Sequence, residues 1–149
     1  MGIEVKVGKT ILLDTNCFIY YFEDNPKYSY KLEKIFTDIQ RGKNKAFFSI
    51  ISFMEILVKP KKDKNVFIEN RYKMMLTNYP NLTIVNIGYE IADIAARLRA
   101  CYNVKTPDAI IIATGIAINA DYIITNDVRL KGICSKEGIQ AVTIEDIEI

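Results

Sequence analysis

Between Thr106 and Asp127 the chain reads TPDAIIIATGIAINADYIITND. The middle of this stretch is apolar enough to demand burial, yet a carboxylate stands at each end, Asp108 and Asp127. Pro107 to Ile118 has the length and the start of a helix, and Asp121 to Thr125 reads as a strand. Twelve helical residues span about 18 Å, and five strand residues span about 17 Å. A helix packed antiparallel to the strand it feeds goes down and returns by nearly the same length. Both acids then arrive at one edge of a sheet, and the apolar middle holds them there.

The rest of the chain repeats that alternation. TILLD (Thr10–Asp14), KAFFS (Lys45–Ser49), NLTIVNI (Asn81–Ile87) and IQAVTI (Ile139–Ile144) are short apolar runs of strand character. Between them, Pro26–Arg41, a short segment stopped by Pro60, Lys64–Asn78 and Tyr89–Tyr102 have helical spacing or helix punctuation. Asp24 or Asn25 is placed to cap the first of these helices. Strands that alternate with helices, and that lack clear in–out alternation, predict a parallel sheet covered on both faces. With 149 residues and no composition shift, the chain reads as a single domain, 1–149, with residues 1–9 as an N-terminal extension.

Composition narrows the chemistry. There is no histidine, which excludes serine and cysteine triads and any imidazole base. Cys17, Cys101 and Cys134 are scattered, so a zinc site is disfavoured and reduced, buried thiols in a cytoplasm are expected. The longest apolar run is too short to span a membrane. The start, MGIEVKVGKT, lacks a signal-peptide core, and Lys6 breaks the myristoylation pattern. The net charge of +2 does not by itself point to nucleic acid.

Carboxylates remain. The carboxyl edge of a parallel sheet is where ligands bind in open α/β folds. Asp14 ends the first strand, and Glu55 lies early in the helix after the second. With Asp108 and Asp127 they bring four acids to that edge from four segments. Each has an ordinary structural explanation. Asp108 suits a helix start, Ser52-x-x-Glu55 matches a capping box, and Asp14 and Asp127 suit caps or turns. Gathered together they repel, and a shared cation relieves that. Oxygen-only ligands favour Mg²⁺ or Mn²⁺.

The ordered segments LLDTNCFIYYF with Asp14, FFSIISFMEIL with Ser49 and Glu55, TPDAIIIATGI with Asp108, and YIITNDVRL with Thr125 and Asp127 resemble the PIN-domain nuclease family. The resemblance is greatest to its VapC-type toxins of toxin–antitoxin systems and spans nearly the whole chain. It implies a three-layer α/β/α sandwich with a central parallel sheet of four to five strands. It also implies a metal-dependent endoribonuclease using Mg²⁺ or Mn²⁺, a homodimer, and a cognate antitoxin that blocks the acidic site. Asp14 and Asp108 are then the chief metal ligands, with Glu55 and Asp127 completing the site, and all four are catalytic. A bound metal would invert a field that otherwise repels a phosphodiester. Asn16, Ser49, Thr125 and Asn126 are candidates for orienting the acids, and equally for cap and turn roles.

Lys59, Lys61, Lys62 and Lys64 follow the Glu55 segment, and Arg97, Arg99, Lys105, Arg129 and Lys131 flank the last two acids. These are candidates for holding RNA phosphates, against the commoner fate of a solvated face. Tyr20, Tyr21 and Phe22 read as core or dimer surface. Three other readings compete. One is an RNA-processing PIN nuclease without a toxin role. Another is a haloacid-dehalogenase-like phosphatase with Asp14 as nucleophile, which needs an acid where Asn16 stands; a receiver domain is a weaker version. The third is a non-catalytic PIN-like binding module.

Overall fold

The computed structural model describes residues 2–149. In chain order the elements are β1 (Ile3–Glu4), β2 (Thr10–Leu13), α1 (Thr15–Phe22), α2 (Ser29–Gln40), β3 (Lys45–Ser49), α3 (Ile50–Lys62), α4 (Val66–Asn78), β4 (Leu82–Val85), α5 (Tyr89–Tyr102), α6 (Thr106–Ala117), β5 (Tyr122–Thr125), α7 (Arg129–Lys136), β6 (Gln140–Thr143), a 3₁₀ turn at Ile144–Asp146 and β7 (Ile147–Glu148). Five strands form one parallel sheet in the order β4-β3-β2-β5-β6. Helices cover both faces, giving the expected three-layer sandwich.

The pleat sorts β2 between two cores. Ile11 and Leu13 face Phe18, Phe36, Phe48 and Leu76, against α1, α2 and α4. Leu12, between them, faces Ile91, Leu98, Ile112 and Ile123, against α5 and α6. A strand buried on both sides needs apolar residues at every position, which is why TILL shows no alternation. Each fully buried Phe contributes on the order of 1.5–3 kcal/mol.

The chain leaves β2 toward β3 and β4, then crosses back to place β5 on the other side of β2. The strand order therefore reverses between β2 and β5. A crevice opens at the carboxyl end of such a switch point, and Asp14 and Asp127 follow those two strands.

Local structure departs from the sequence expectations in four places. Helix α3 does not stop at Pro60 but continues to Lys62. Pro60 lies in the last turn, where a missing N–H forfeits one hydrogen bond, and its ring is buried. Helix α2 starts at Ser29, later than Pro26, because the Asn25 side chain accepts from the N–H groups of Lys27 and Tyr28 and closes a turn first. Helices α1 and α7 were not legible as helices. Finally, Cys101 is exposed, where all three cysteines were expected to be buried; only Cys17 and Cys134 are. The N-terminal extension pairs in parallel through Ile3–Glu4 with Ile147–Glu148, and Ile3 and Val5 pack on the core.

The aromatic run in α1 is core. Tyr21 stacks on Phe36 at 4.3 Å, Phe22 on Tyr72 at 4.8 Å, and Tyr20 meets Tyr28 at 5.0 Å. On the other face α6 approaches the sheet so closely that a Cβ on Gly115 would stand 2.7 Å from Ile123 Cδ1. That approach sets the depth of α6, and with it the position of Asp108 at the helix start.

Candidate active site

Asp14, Glu55, Asp108 and Asp127 line one cavity of about 200 Å³, together with Thr15, Asn16, Ile19, Pro107 and Ile111. Four separate elements deliver them, at the switch point between β2 and β5. The helix–strand unit returns both its acids to one crevice, as its lengths require.

Asp14 is the most constrained. It caps α1, with Oδ1 accepting from Thr15 N at 2.7 Å, and Oδ2 accepting from the Thr125 hydroxyl at 2.7 Å. Thr125, fully buried, in turn accepts from Asp127 N at 3.0 Å. One hydroxyl thus fixes the carboxylate after β2 to the backbone after β5. Burial pushes the Asp14 carboxyl above the usual range, with Glu55 and Asp108 adding to this against the lowering by Thr125 and Thr15.

Glu55 is not held as a capping residue. Helix α3 is capped by the buried Ser49, whose hydroxyl accepts from Ile51 N at 3.1 Å. Ser52 therefore lies inside the helix, and the capping box read from Ser52-x-x-Glu55 does not form. Instead the Thr15 hydroxyl meets both Glu55 Oε1 at 2.7 Å and Ser52 Oγ at 2.9 Å. Thr15 was missed in the sequence. The signal was present, a hydroxyl directly after Asp14, but nothing local says that it reaches α3.

Asp108 sits in the first turn of α6 and accepts no hydrogen bond from the described residues. Its carboxyl is raised by burial and then by the Asp127 charge, against Arg129 and Lys105. Asp127 moves the other way, held low chiefly by hydrogen bonds from Arg129. Arg129 Nε lies 3.0 and 3.2 Å from the two Asp127 oxygens, and Nη2 lies 2.6 Å from Oδ2. The same Nη2 stands 3.9 Å from Asp108 Oδ2.

The donor set suits a hard divalent cation in kind: carboxylate oxygens and no soft ligand. Asn16 Oδ1 adds a buried oxygen with no hydrogen-bond partner, at the same cavity. The acids are not drawn together as a closed cage, however. Among the described residues no group of three acids or cysteines is close enough to hold a metal as placed. Asp127 is clasped by Arg129 and Glu55 is turned to Thr15. A cation would have to gather them.

The remaining candidates divide. Asn126 does not line the cavity. Arg129 and Lys105 are at the acids. Lys59 pairs with Glu23, Lys61 with Glu69, and Lys131 with Asp146. Arg99 donates to Val104 O. Arg97 is committed to Glu137, which shares a hollow with Gly115, Asn119 and Ala120 at the end of α6 remote from Asp108. Lys62 and Lys64 are exposed. Of these basic candidates, Arg129 and Lys105 stand beside the acids, and most of the others are paired or exposed elsewhere, as the solvated-face reading expects.

The PIN domain profile matches residues 11–136, from the start of β2 to the end of α7. The chain belongs to the PIN-domain family, whose members are nucleases. Among solved structures it is similar to a chain of a toxin–antitoxin complex from Klebsiella pneumoniae, at 29% identity, with 92% of this chain and 99% of that one covered and a TM-score of 0.69. It is similar in fold to a chain of VapBC2 from Rickettsia felis bound to a DNA fragment from their promoter, at 20% identity, with 90% and 98% covered and a TM-score of 0.69. A chain of VapBC-1 from nontypeable Haemophilus influenzae also shares the fold, at 18% identity, with 91% and 98% covered and a TM-score of 0.67. No match was found among curated proteins.

Proposed function

We propose that the chain is a metal-dependent endoribonuclease, the toxin of a VapBC-type toxin–antitoxin pair. The observation that carries this is the convergence of Asp14, Glu55, Asp108 and Asp127 on one cavity at the switch point of the sheet. Family membership supports nuclease chemistry, and the likeness to a chain of a toxin–antitoxin complex supports the toxin role.

Asp14, Asp108, Asp127 and Glu55 would hold Mg²⁺ or Mn²⁺, and Asn16 offers a further oxygen. When bound, the ion acidifies a water and offsets charge on the phosphodiester. The rest falls to the chain. Thr125 and Thr15 N fix both oxygens of Asp14, so its remaining lone pairs point in one set direction. The Thr15 hydroxyl holds Glu55 beside it. Asp108, free of hydrogen bonds from the described residues, adjusts to the ion. Lys105 places positive charge beside Asp108 for an incoming phosphate.

A cognate antitoxin and a second copy of the chain are the proposed protein partners. The exposed side chains of Met54, Val58, Phe67 and Met74 on α3 and α4 support a protein-binding face. No helix among the described residues is long and apolar enough to cross a membrane. A cytoplasmic setting is part of the same proposal.

The test is cleavage of labelled single-stranded RNA by purified protein with Mg²⁺, with Mn²⁺ and with chelator. Asp14→Asn and Asp108→Asn are assayed beside it. The expected result is metal-dependent cleavage lost in both variants. Cleavage that persists in chelator or in both variants overturns the reading.

A further inference from the structure

One cation already stands at the edge of the acidic crevice, and it belongs to the chain. Arg129 is the first residue of α7, so its backbone is fixed while its side chain stays 68% exposed. Its guanidinium takes both oxygens of Asp127, and Nη2 reaches to 3.9 Å from Asp108. It therefore bridges the two acids at the ends of the α6–β5 unit. With both oxygens engaged, Asp127 has part of its lone-pair capacity committed to Arg129 rather than to a metal.

We propose that Arg129 is an exchangeable clasp. It holds Asp127 toward Asp108 until a divalent cation takes the carboxylates, and the released guanidinium then binds a phosphate of the nucleic-acid substrate. This rests on the metal-dependent nuclease reading above. Three features of Arg129 favour exchange over a fixed structural pair. The ion pair is solvent-exposed, so it is held weakly. Its partner Asp127 sits among three other acids that gain from a dication and gain little from a single arginine. The planar fork that fits a carboxylate also fits a phosphate, so the freed side chain has a second ligand of the right shape at the same crevice.

The two roles pull in opposite directions, and that is the signature. Mn²⁺ binding to the full chain is measured by calorimetry for wild type, Arg129→Gln and Arg129→Lys. Michaelis parameters for single-stranded RNA are measured on the same samples, with circular dichroism to establish that they are folded. Arg129→Gln is expected to bind Mn²⁺ about threefold to fivefold tighter, because a competing cation is gone. Its KM for RNA is expected to rise about tenfold, with a smaller change in kcat. Arg129→Lys keeps the charge without the fork and falls between. Arg129→Gln that binds Mn²⁺ no tighter than wild type, or more weakly, overturns the clasp: the arginine then merely positions Asp127. An unchanged KM overturns the phosphate role. If wild type binds Mn²⁺ and cleaves RNA while these shifts are absent, the clasp alone fails. If folded wild type binds no Mn²⁺, the clasp and the nuclease reading fail together.

Discussion

Two arginine forks can be set side by side in this molecule. Arg97 grips Glu137 at 2.8 and 3.2 Å, away from the crevice, and Arg129 grips Asp127 at its edge. In the first, Tyr102 completes the arrangement by donating to Glu137 at 2.6 Å, tying α5 to the end of α7. In the second, Asp14, Glu55 and Asp108 share the cavity, and Arg129 answers only part of their charge. The bond is the same and the surroundings differ. A balanced fork is a contribution to stability, whereas a crowded one marks a site whose charge is held for another partner. The two gripped acids shift alike, Asp127 lowered by Arg129 and Glu137 by Arg97 and Tyr102, while the acids crowded beside the second fork, Asp14 and Asp108, are raised. These shifts express that contrast as opposite responses to mutation.

The largest expected effect is on chemistry. On the proposed nuclease reading, Asp14→Asn and Asp108→Asn should each reduce RNA cleavage by about 10²-fold or more, the loss expected when a ligand to a catalytic ion is removed. Glu137→Gln should leave cleavage within about twofold of wild type, since a balanced surface pair outside the crevice contributes little. A single-turnover assay checks all three. Equal losses in Asp14→Asn and Glu137→Gln would erase the distinction between the crevice and the Arg97–Glu137 fork.

Helix α6 joins the two regions, and Gly115 tests whether they are mechanically linked. A branched side chain there meets Ile123, which is fully buried and cannot step aside freely. Gly115→Val should destabilise the fold by about 1–3 kcal/mol, measured by urea denaturation. It should also lower cleavage by lifting Asp108 from the crevice. Gly115→Ala should be nearer neutral, because gained helix propensity of about 1 kcal/mol offsets a smaller clash.

How much of this was legible depended on whether the signal was local. The alternation of apolar strands and helices, and the matched lengths of α6 and β5, are written in consecutive residues, and they gave the sandwich and the meeting of Asp108 with Asp127. Helix α1 was hidden because TNCFIYYF is β-branched and aromatic, and only packing against Phe36, Phe48 and Tyr72 makes it a helix. Helix α7 was hidden by its length of eight residues and by Gly132; its buried side, Leu130 and Cys134, is a single pair. The Thr15–Glu55 and Arg97–Glu137 contacts each span about 40 positions, and no spacing rule reaches across them. Charged residues were therefore offered as candidates by sequence proximity alone; the fold puts Arg129 beside the acids and Arg97 on Glu137, away from them.

Stability in chelator should separate the crowded crevice from the balanced Arg97–Glu137 fork by sign. Burial and neighbouring acids raise the Asp14 pKa, so its ionised form opposes folding. The contribution of this group is fully present below its unfolded value, near 3.8, and is lost as pH rises through the folded one. At pH 7 Asp14→Asn should therefore raise Tm, by about 2–4 °C for each kcal/mol relieved. The gain should disappear near pH 3. Wild-type protein that melts at or above the variant at pH 7 without metal would show that the crevice stores no repulsion.

Glu137 should behave in the reverse manner and by a smaller amount. Hydrogen bonds from Arg97, then from Tyr102, hold its pKa below the usual 4.5. Its contribution is present above the unfolded value and is lost as pH falls through the folded one. Glu137→Gln should lower stability at pH 7 by about 1 kcal/mol or less, because Arg97 is half exposed and the pair is screened. The difference should shrink below pH 4.5 and close in stronger acid. Arg97→Ala should show the same pH profile, and adding it to Glu137→Gln should cost little more, since the two act through one bond. Additive losses, or a gap that persists in acid, would mean that α5 and α7 are joined by their apolar contacts alone. The charged fork would then be an ornament of the surface, and the contrast with Arg129 would rest only on the crevice side.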